Sequence, residues 1–225
     1  MNLLDTLASY VPQIILHHLR AHPGGLTDPF SESRQAATFF ADISGFTPLT
    51  ERLAQSGPDG AERLASILNE YFGTLINLVH EYGGDIVKFA GDALLAVWPD
   101  TLHEKTLPEL TALAAQCAIQ AQMALREYKN DTHLRLALRI GIGAGEVLNV
   151  HLGGKHNRWE FFLTGDGLVQ ASSAEKMAQP GTIAISPKAW ALIQPQFQGT
   201  PIENGFYELH PPGAEISPCP IPTVE

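Results

Sequence analysis

The chain has 225 residues, 44% of them apolar and 17% charged, which suits one large domain, or one and a half, with a real buried core. Fourteen Lys and Arg against 24 Asp and Glu leave a net charge of −10. That excludes broad contact with nucleic acid or an anionic membrane, and any polyanionic substrate must meet local charge or bound metal.

Met1 to Arg20 places Leu3, Leu4, Leu7, Val11, Ile14, Ile15 and Leu19 at helical spacing, interrupted by Pro12. No basic stretch precedes the apolar part, and no apolar run approaches the roughly 20 residues that span a bilayer. The segment reads as one or two helices packed on the domain, with a membrane-surface or partner helix as the alternative. His22 to Ser33, with its Pro-Gly-Gly and Asp-Pro steps, reads as a loop. Ala36 to Ile43 reads as a buried strand that ends at Asp42 and meets Ser44-Gly45 as a tight turn. Ala61 to Tyr82 carries an apolar helical face stopped by Gly83-Gly84. Asp85 to Ala90 and Ala93 to Trp98 are two short strands around Gly91-Asp92, a hairpin turn that presents Asp92 at its tip.

Leu107 to Tyr128 reads as an Ala-rich helix, and Leu134 to Ala144 as a strand that ends on closely spaced glycines. A second hairpin runs through Val147 to Leu152, turns over Gly153 to Arg158 and returns along Trp159 to Thr164. Gly165 to Ala178 and Pro187 to Ile193 read as helices, and Thr182 to Ser186 and Gly205 to Leu209 as strands. From His210 onward, five prolines fall within 16 residues, as in a linker or tail. The chain thus divides into an N-terminal helix and loop (1–33), a main domain (34–209) and a Pro-rich linker or tail (210–225). Alternating strands and helices predict an α/β (α+β) sandwich with one central sheet covered by helices.

If the strands carrying Asp42 and Asp92 are neighbours, two carboxylates converge at one edge of a buried sheet. Bound Mg²⁺ would relieve their repulsion, because it takes oxygen ligands and commonly uses one or two carboxylates plus substrate phosphates. Capping and turn roles suit the same two positions, and the pattern leaves both readings open. His17, His18, His103, His133, His151 and His156 show no paired metal spacing, and His17-His18 read as a solvated helix face. Gly141, Gly143 and Gly145 make an incomplete dinucleotide fingerprint. Cys117 reads as a small core residue; with only Cys219 besides it the chain suits a reducing compartment, and an acidic chain with no export or membrane signal suits the cytoplasm.

The stretch Phe39-Phe40-Ala41-Asp42-Ile43-Ser44-Gly45-Phe46-Thr47, followed by Gly84-Asp85-Ile86-Val87-Lys88-Phe89-Ala90-Gly91-Asp92, resembles the two metal-site motifs of class III nucleotidyl cyclase catalytic domains. With Arg139 to Gly145 and Phe162-Leu163-Thr164-Gly165 downstream, the resemblance covers nearly everything from Ala36 to Leu209. It is greatest to the first catalytic half of the soluble, bicarbonate-responsive type of adenylyl cyclase and its bacterial relatives. The resemblance implies a ferredoxin-like βαββαβ core that works as a head-to-tail pair with ATP at the interface. It implies that Asp42 and Asp92, with the backbone carbonyl of Ile43, hold two Mg²⁺ ions, for which Mn²⁺ can substitute. The backbone from Ser44 through Gly45, Phe46 and Thr47, together with Gly91 and Arg139, would then contact the nucleotide. The implied reaction converts ATP to 3′,5′-cyclic AMP and pyrophosphate by in-line attack of the ribose 3′-hydroxyl on the α-phosphate.

Lys88 stands where many members of that family carry the lysine that reads adenine. In first halves of the soluble type it lines a second, degenerate pocket instead, but the arginine that would join it there is Ser172, so direct bicarbonate sensing is not implied. Read from residues alone, Lys88 is a strand lysine whose head must reach water or a carboxylate. Self-sufficient homodimeric members carry base-selecting, ribose-orienting and phosphate-stabilising groups where this chain has Phe162, Val169 and Ser173. Losing a preorganised cation of that kind typically costs about 10²- to 10⁵-fold in rate. The resemblance therefore implies a metal-supplying half that pairs weakly with itself and needs a complementary domain, with the Pro-rich tail as the linker toward it. The alternatives are a catalytically silent dimerisation or regulatory module and, less well matched, a diguanylate cyclase-like enzyme, whose signature Gly83-Gly84-Asp85 does not complete.

Overall fold

The computed structural model describes residues 3–22, 24–126, 136–211 and 216–221. Along the chain run α1 (Leu3–Ala8), α2 (Gln13–Ala21), β1 (Phe30–Ser44), α3 (Phe46–Ala54), α4 (Pro58–Glu81), β2 (Asp85–Ala90), β3 (Ala93–Pro99) and α5 (Leu107–Arg126). They are followed by β4 (Ala137–Gly153), β5 (Trp159–Thr164), α6 (Asp166–Met177), β6 (Ile183–Ile185), α7 (Pro187–Ile193), β7 (Gln198–Pro201) and β8 (Tyr207–His210). The strands form one sheet in the order β2-β3-β1-β4-β6-β8-β7, with β5 paired to β4. Within it, β2-β3-β1-β4 are joined through α3–α4 and α5, all pairs antiparallel. This is the expected βαββαβ core, with the expected helical extension ahead of it.

Strand alternation sorts side chains to the two faces of this sheet. Ala37, Phe39, Ala41 and Ile43 of β1 join Leu94, Ala96 and Trp98 of β3 in the main core, together with buried residues of α3, α4, α5 and α7. Helix α5 is buried along most of its length, and Ala112, Ala114, Ala115, Ala118 and Ala121 let it lie close against its neighbours. Helix α4 stops at Gly83, whose φ of +78° suits glycine. Gly84 then passes so near Trp98 that a Cβ there would fall 2.6 Å from the indole, and the Trp98 Nε1–H donates to the Tyr82 carbonyl at 2.8 Å.

Helix α6 covers the opposite face of β1 and β4. A Cβ on Gly141 would lie 2.1 Å from the Ala171 carbonyl oxygen, and one on Gly143 would lie 2.3 Å from that of Gly167. These glycines therefore serve helix-to-sheet approach. The expectation that glycines end the strand near Ala144 is corrected: β4 is continuous to Gly153, because they lie inside its ladder with β1. Thr38, fully buried on the same face, donates to the Gly167 carbonyl at 2.7 Å.

Two further boundaries move. The ladder of β1 with β4 begins at Phe30 opposite His151, so the last residues of the expected loop are strand, stabilised by pairing with β4 rather than by an apolar run. Strand β7, too short and polar to stand out, pairs with β8. His17 is exposed as expected, but His18 is not on a solvated face: its ring stacks at 4.3 Å on both His22 and Phe30 and lies 5.3 Å from His151. Asp85, buried at the start of β2, accepts the Gln13 and Ile14 N–H groups at 2.8 Å each and so caps α2 from a distant part of the chain. Burial pushes its carboxyl up to about 6, and the two backbone hydrogen bonds oppose that rise. Ile216 and Cys219 pack against the main core. None of the described helices is long and apolar enough to cross a membrane. Met1, Tyr128, Leu134 and His133, included in the readings above, lie outside the described residues.

Candidate active site

Asp42 sits at the end of β1, opposite Ala93 of β3 on one side and Arg139 of β4 on the other. Asp92 occupies the two-residue β2–β3 turn after Gly91, whose φ is +68°, as a hairpin with glycine at its first turn position requires. The Ile43 N–H donates to the Asp92 carbonyl at 3.2 Å, tying the end of β1 to the hairpin tip. The two aspartates thus stand at the same end of neighbouring strands, the condition set by the sequence pattern for their convergence.

Arg139 provides the positive charge beside them. Its Nη2 donates to Asp42 Oδ2 and lies 3.2 Å from Glu175 Oε1 of α6. The hydrogen bond to Asp42 holds the guanidinium above its ordinary value, with Glu175 and Asp92 adding to the effect. Glu175 is itself pushed up by burial, while Arg139 pulls it back.

After Ser44 the chain turns through Gly45 at φ +91° and enters α3 at Phe46. No side chain caps this helix, so main-chain N–H groups at its start are available to an anion. Ser44, Gly45, Phe46 and Thr47 are thereby placed next to Asp42 in one turn. Lys88 reaches the α6 face of the sheet by a β-bulge: Ile86 pairs with Ala96, Val87 is passed over, and Lys88 pairs with Leu95. Ala96 faces the main core, so Lys88 faces the other side; it is exposed, and its head meets water as a strand lysine requires.

The structure therefore brings Asp42, Ile43, Ser44, Gly45, Phe46, Thr47, Gly91, Asp92 and Arg139 to one end of the sheet, with Lys88 further along the edge strand. Phe162 of β5 and Val169 of α6 are 43% and 63% exposed, apolar groups presented to solvent. Ser172 and Ser173 are half-buried. Glu175 escaped the sequence reading. The available signal was an acidic residue following Ala171 and Ala174 at the spacing of a small-residue helix face. Among the described residues, no group of three or more His, Cys, Asp and Glu side chains could hold a metal ion.

Comparison with known proteins identifies the family and the fold. The model of the adenylate and guanylate cyclase catalytic domain matches residues 30–213. Adenylate cyclase type 10 of Oryctolagus cuniculus is 30% identical over 194 residues, covering 83% of this chain and 11% of that protein. The Mus musculus protein of the same name is 34% identical over 155 residues, 68% of this chain and 9% of its own length. The chain spans about a tenth of these curated relatives. Among solved structures, the adenylyl cyclase CyaB from P. aeruginosa superposes with a TM-score of 0.69 at 22% identity, covering 84% of this chain and 100% of that one. The dimeric guanylyl cyclase domain of the RhoGC fusion protein from Blastocladiella emersonii gives 0.66 at 24% identity, covering 82% and 97%. The matched region runs from the first strand of the sheet through its last, and the chain belongs to the adenylate and guanylate cyclase catalytic-domain family.

Proposed function

We propose that this chain is the metal-bearing half of an adenylyl cyclase, converting ATP to 3′,5′-cyclic AMP and pyrophosphate when joined to a complementary cyclase domain. The observation that carries the reading is the placement of Asp42 and Asp92 at one end of neighbouring strands beside an uncapped helix start; by the resemblance, Phe162, Val169 and Ser173 occupy positions that are polar in self-sufficient members. Two carboxylates and the Ile43 carbonyl fit Mg²⁺, which favours oxygen ligands and accepts the remainder from phosphates and water. Bound there, Mg²⁺ would supply Lewis-acid stabilisation of phosphoryl charge and favour ionisation of the attacking hydroxyl.

The chain's own groups do the rest of this half's work. Backbone N–H groups from Gly45 to Thr47 face the triphosphate, with glycine giving close approach and the helix start favouring anions. Arg139 offers a guanidinium to phosphate oxygens once Asp42 has another partner. Neither Phe162 nor Val169 can hydrogen-bond a base or a ribose, and Ser173 brings no cation to the transition state. Base selection, and with it ATP over GTP, belongs to the complementary domain.

The test is cyclic-nucleotide formation from Mg-ATP and Mg-GTP by the chain alone and mixed with a cyclase domain that carries the missing base, ribose and phosphate contacts. Cyclic AMP is expected only from the mixture, and Asp42→Ala should abolish it. Competent turnover by the chain alone would overturn the half-site reading, and silence of the mixture would favour a dimerisation or regulatory module.

A further inference from the structure

Glu175 has no part in the nucleotide or metal contacts described above, yet the fold brings it to them. Because Gly141 lacks a side chain, the backbone of Glu175 rests directly on β4: a Cβ on Gly141 would lie 2.2 Å from the Glu175 nitrogen and 2.8 Å from its Cα. Arg139 is two residues away on the same strand and therefore on the same face. The Glu175 side chain is 9% exposed, and the ion pair to Arg139 is the polar contact of its buried Oε1. A carboxylate buried this far is costly without a cation beside it. The nitrogen that meets Glu175 is the one that donates to Asp42, so one guanidinium is shared between a carboxylate in the site and a carboxylate behind it.

We propose that Glu175 is a positioning residue that acts through Arg139 to set how readily Asp42 exchanges its guanidinium partner for a divalent cation. This rests on the reading of Asp42 and Asp92 as cation ligands. The guanidinium and a cation compete for the same Asp42 oxygen. Glu175 gives Arg139 a second partner to remain with when Asp42 is taken, and cancels the charge that would otherwise oppose a cation at close range. Without that carboxylate, Arg139 keeps Asp42 as its remaining direct ion pair, with Asp92 acting only at longer range, and becomes the stronger competitor. With Arg139 removed that route is gone, and only the direct repulsion between Glu175 and Asp42 is left.

Mn²⁺ titrated into the full chain, read by the electron paramagnetic resonance signal of the free aqua ion, tests this without turnover. Wild type should bind and Asp42→Ala should not. Glu175→Gln is expected to weaken binding on the order of tenfold, the scale of coupling between neighbouring charged groups. Glu175→Asp should recover part of that loss, separating charge from packing. Arg139→Gln should tighten binding, and the double variant Arg139→Gln/Glu175→Gln should bind as Arg139→Gln does. Unchanged binding in Glu175→Gln overturns the proposal. Equal weakening by Glu175→Gln with and without Arg139 also overturns it, because Glu175 would then act on the cation directly. Absence of Asp42-dependent binding in wild type fails differently, removing the cation-ligand reading on which the proposal stands.

Discussion

Replacing Gly141 by alanine puts a methyl group where α6 already lies, 2.1 Å from the Ala171 carbonyl oxygen and 2.2 Å from the Glu175 nitrogen. Both obstacles are backbone, so no rotamer change relieves them. Ordinary contact begins near 3.4 Å, and α6 must back off the sheet by roughly 1 Å. Overpacking of this kind costs about 1–3 kcal/mol. For a chain of this size that amounts to a melting point about 2–12 °C lower, at roughly 2–4 °C per kcal/mol. Gly73→Ala is the internal control, since it lies within α4 with nothing inside 4 Å of its added Cβ. There the same chemical change should stabilise by about 0.5–1 kcal/mol through helix propensity. Thermal unfolding followed by circular dichroism should thus give opposite signs for one substitution at two sites. Because the shift also draws Glu175 away from Arg139, Gly141→Ala should weaken Mn²⁺ binding as Glu175→Gln does. A Gly141→Ala protein as stable as wild type would refute the packing of α6 on β4 from which the site geometry is argued.

Thr38→Val keeps shape but removes the hydroxyl that donates to the Gly167 carbonyl inside a fully buried contact. Urea unfolding should show a loss of about 1–2 kcal/mol with an unchanged m-value, and an unchanged midpoint would remove that bond from the account of how α6 is anchored. Asp85 titrates at about 6 in the folded chain against an ordinary 3.8, so between those pH values the folded state binds more protons than the unfolded state. Its contribution is fully present below pH 3.8 and lost as pH rises through 6, a change of about 3 kcal/mol. The unfolding free energy of wild type minus that of Asp85→Asn should therefore fall by about that amount from roughly pH 3 to pH 7, and a flat difference would contradict the burial cost assigned to this carboxylate.

The frame was legible wherever local pattern and tertiary role coincide. The apolar run ending at Asp42, the apolar helix before Gly83 and the glycine-led turn before Asp92 each announce themselves within a few residues, and together they yield the βαββαβ core and the adjacency of the two aspartates. What was hidden depends on partners distant in sequence. Gly141 and Gly143 look like strand breakers until α6 is placed on them. Phe30 to Gln35 alternates without an apolar run, because pairing with β4 makes it strand. The bulge at Val87 that carries Lys88 to the α6 face has no composition of its own. Asp85 reads as a strand-opening acid, although its task is to cap a helix some seventy residues earlier. Glu175 shows in the sequence only as an acid on a small-residue helix face, and its meaning depends on Arg139 lying beneath the helix that carries it.

Charge balance ties the site back to composition. An acidic chain with net charge −10 repels a nucleoside triphosphate unless cations stand where the phosphates come to rest. At the sheet end, Asp42, Asp92 and Glu175 bring three carboxylates against the single guanidinium of Arg139, which is already engaged with two of them. The uncapped start of α3 adds only a fraction of a charge. These groups leave the sheet end negative, so a triphosphate would not be held there by these side chains alone. Either the nucleotide arrives with divalent cations that Asp42 and Asp92 can ligate, or the missing positive charge comes from a facing domain. The half-site reading uses both, because the cations balance the aspartates and the complementary domain supplies the charge and hydrogen-bonding groups that Ser173, Val169 and Phe162 cannot.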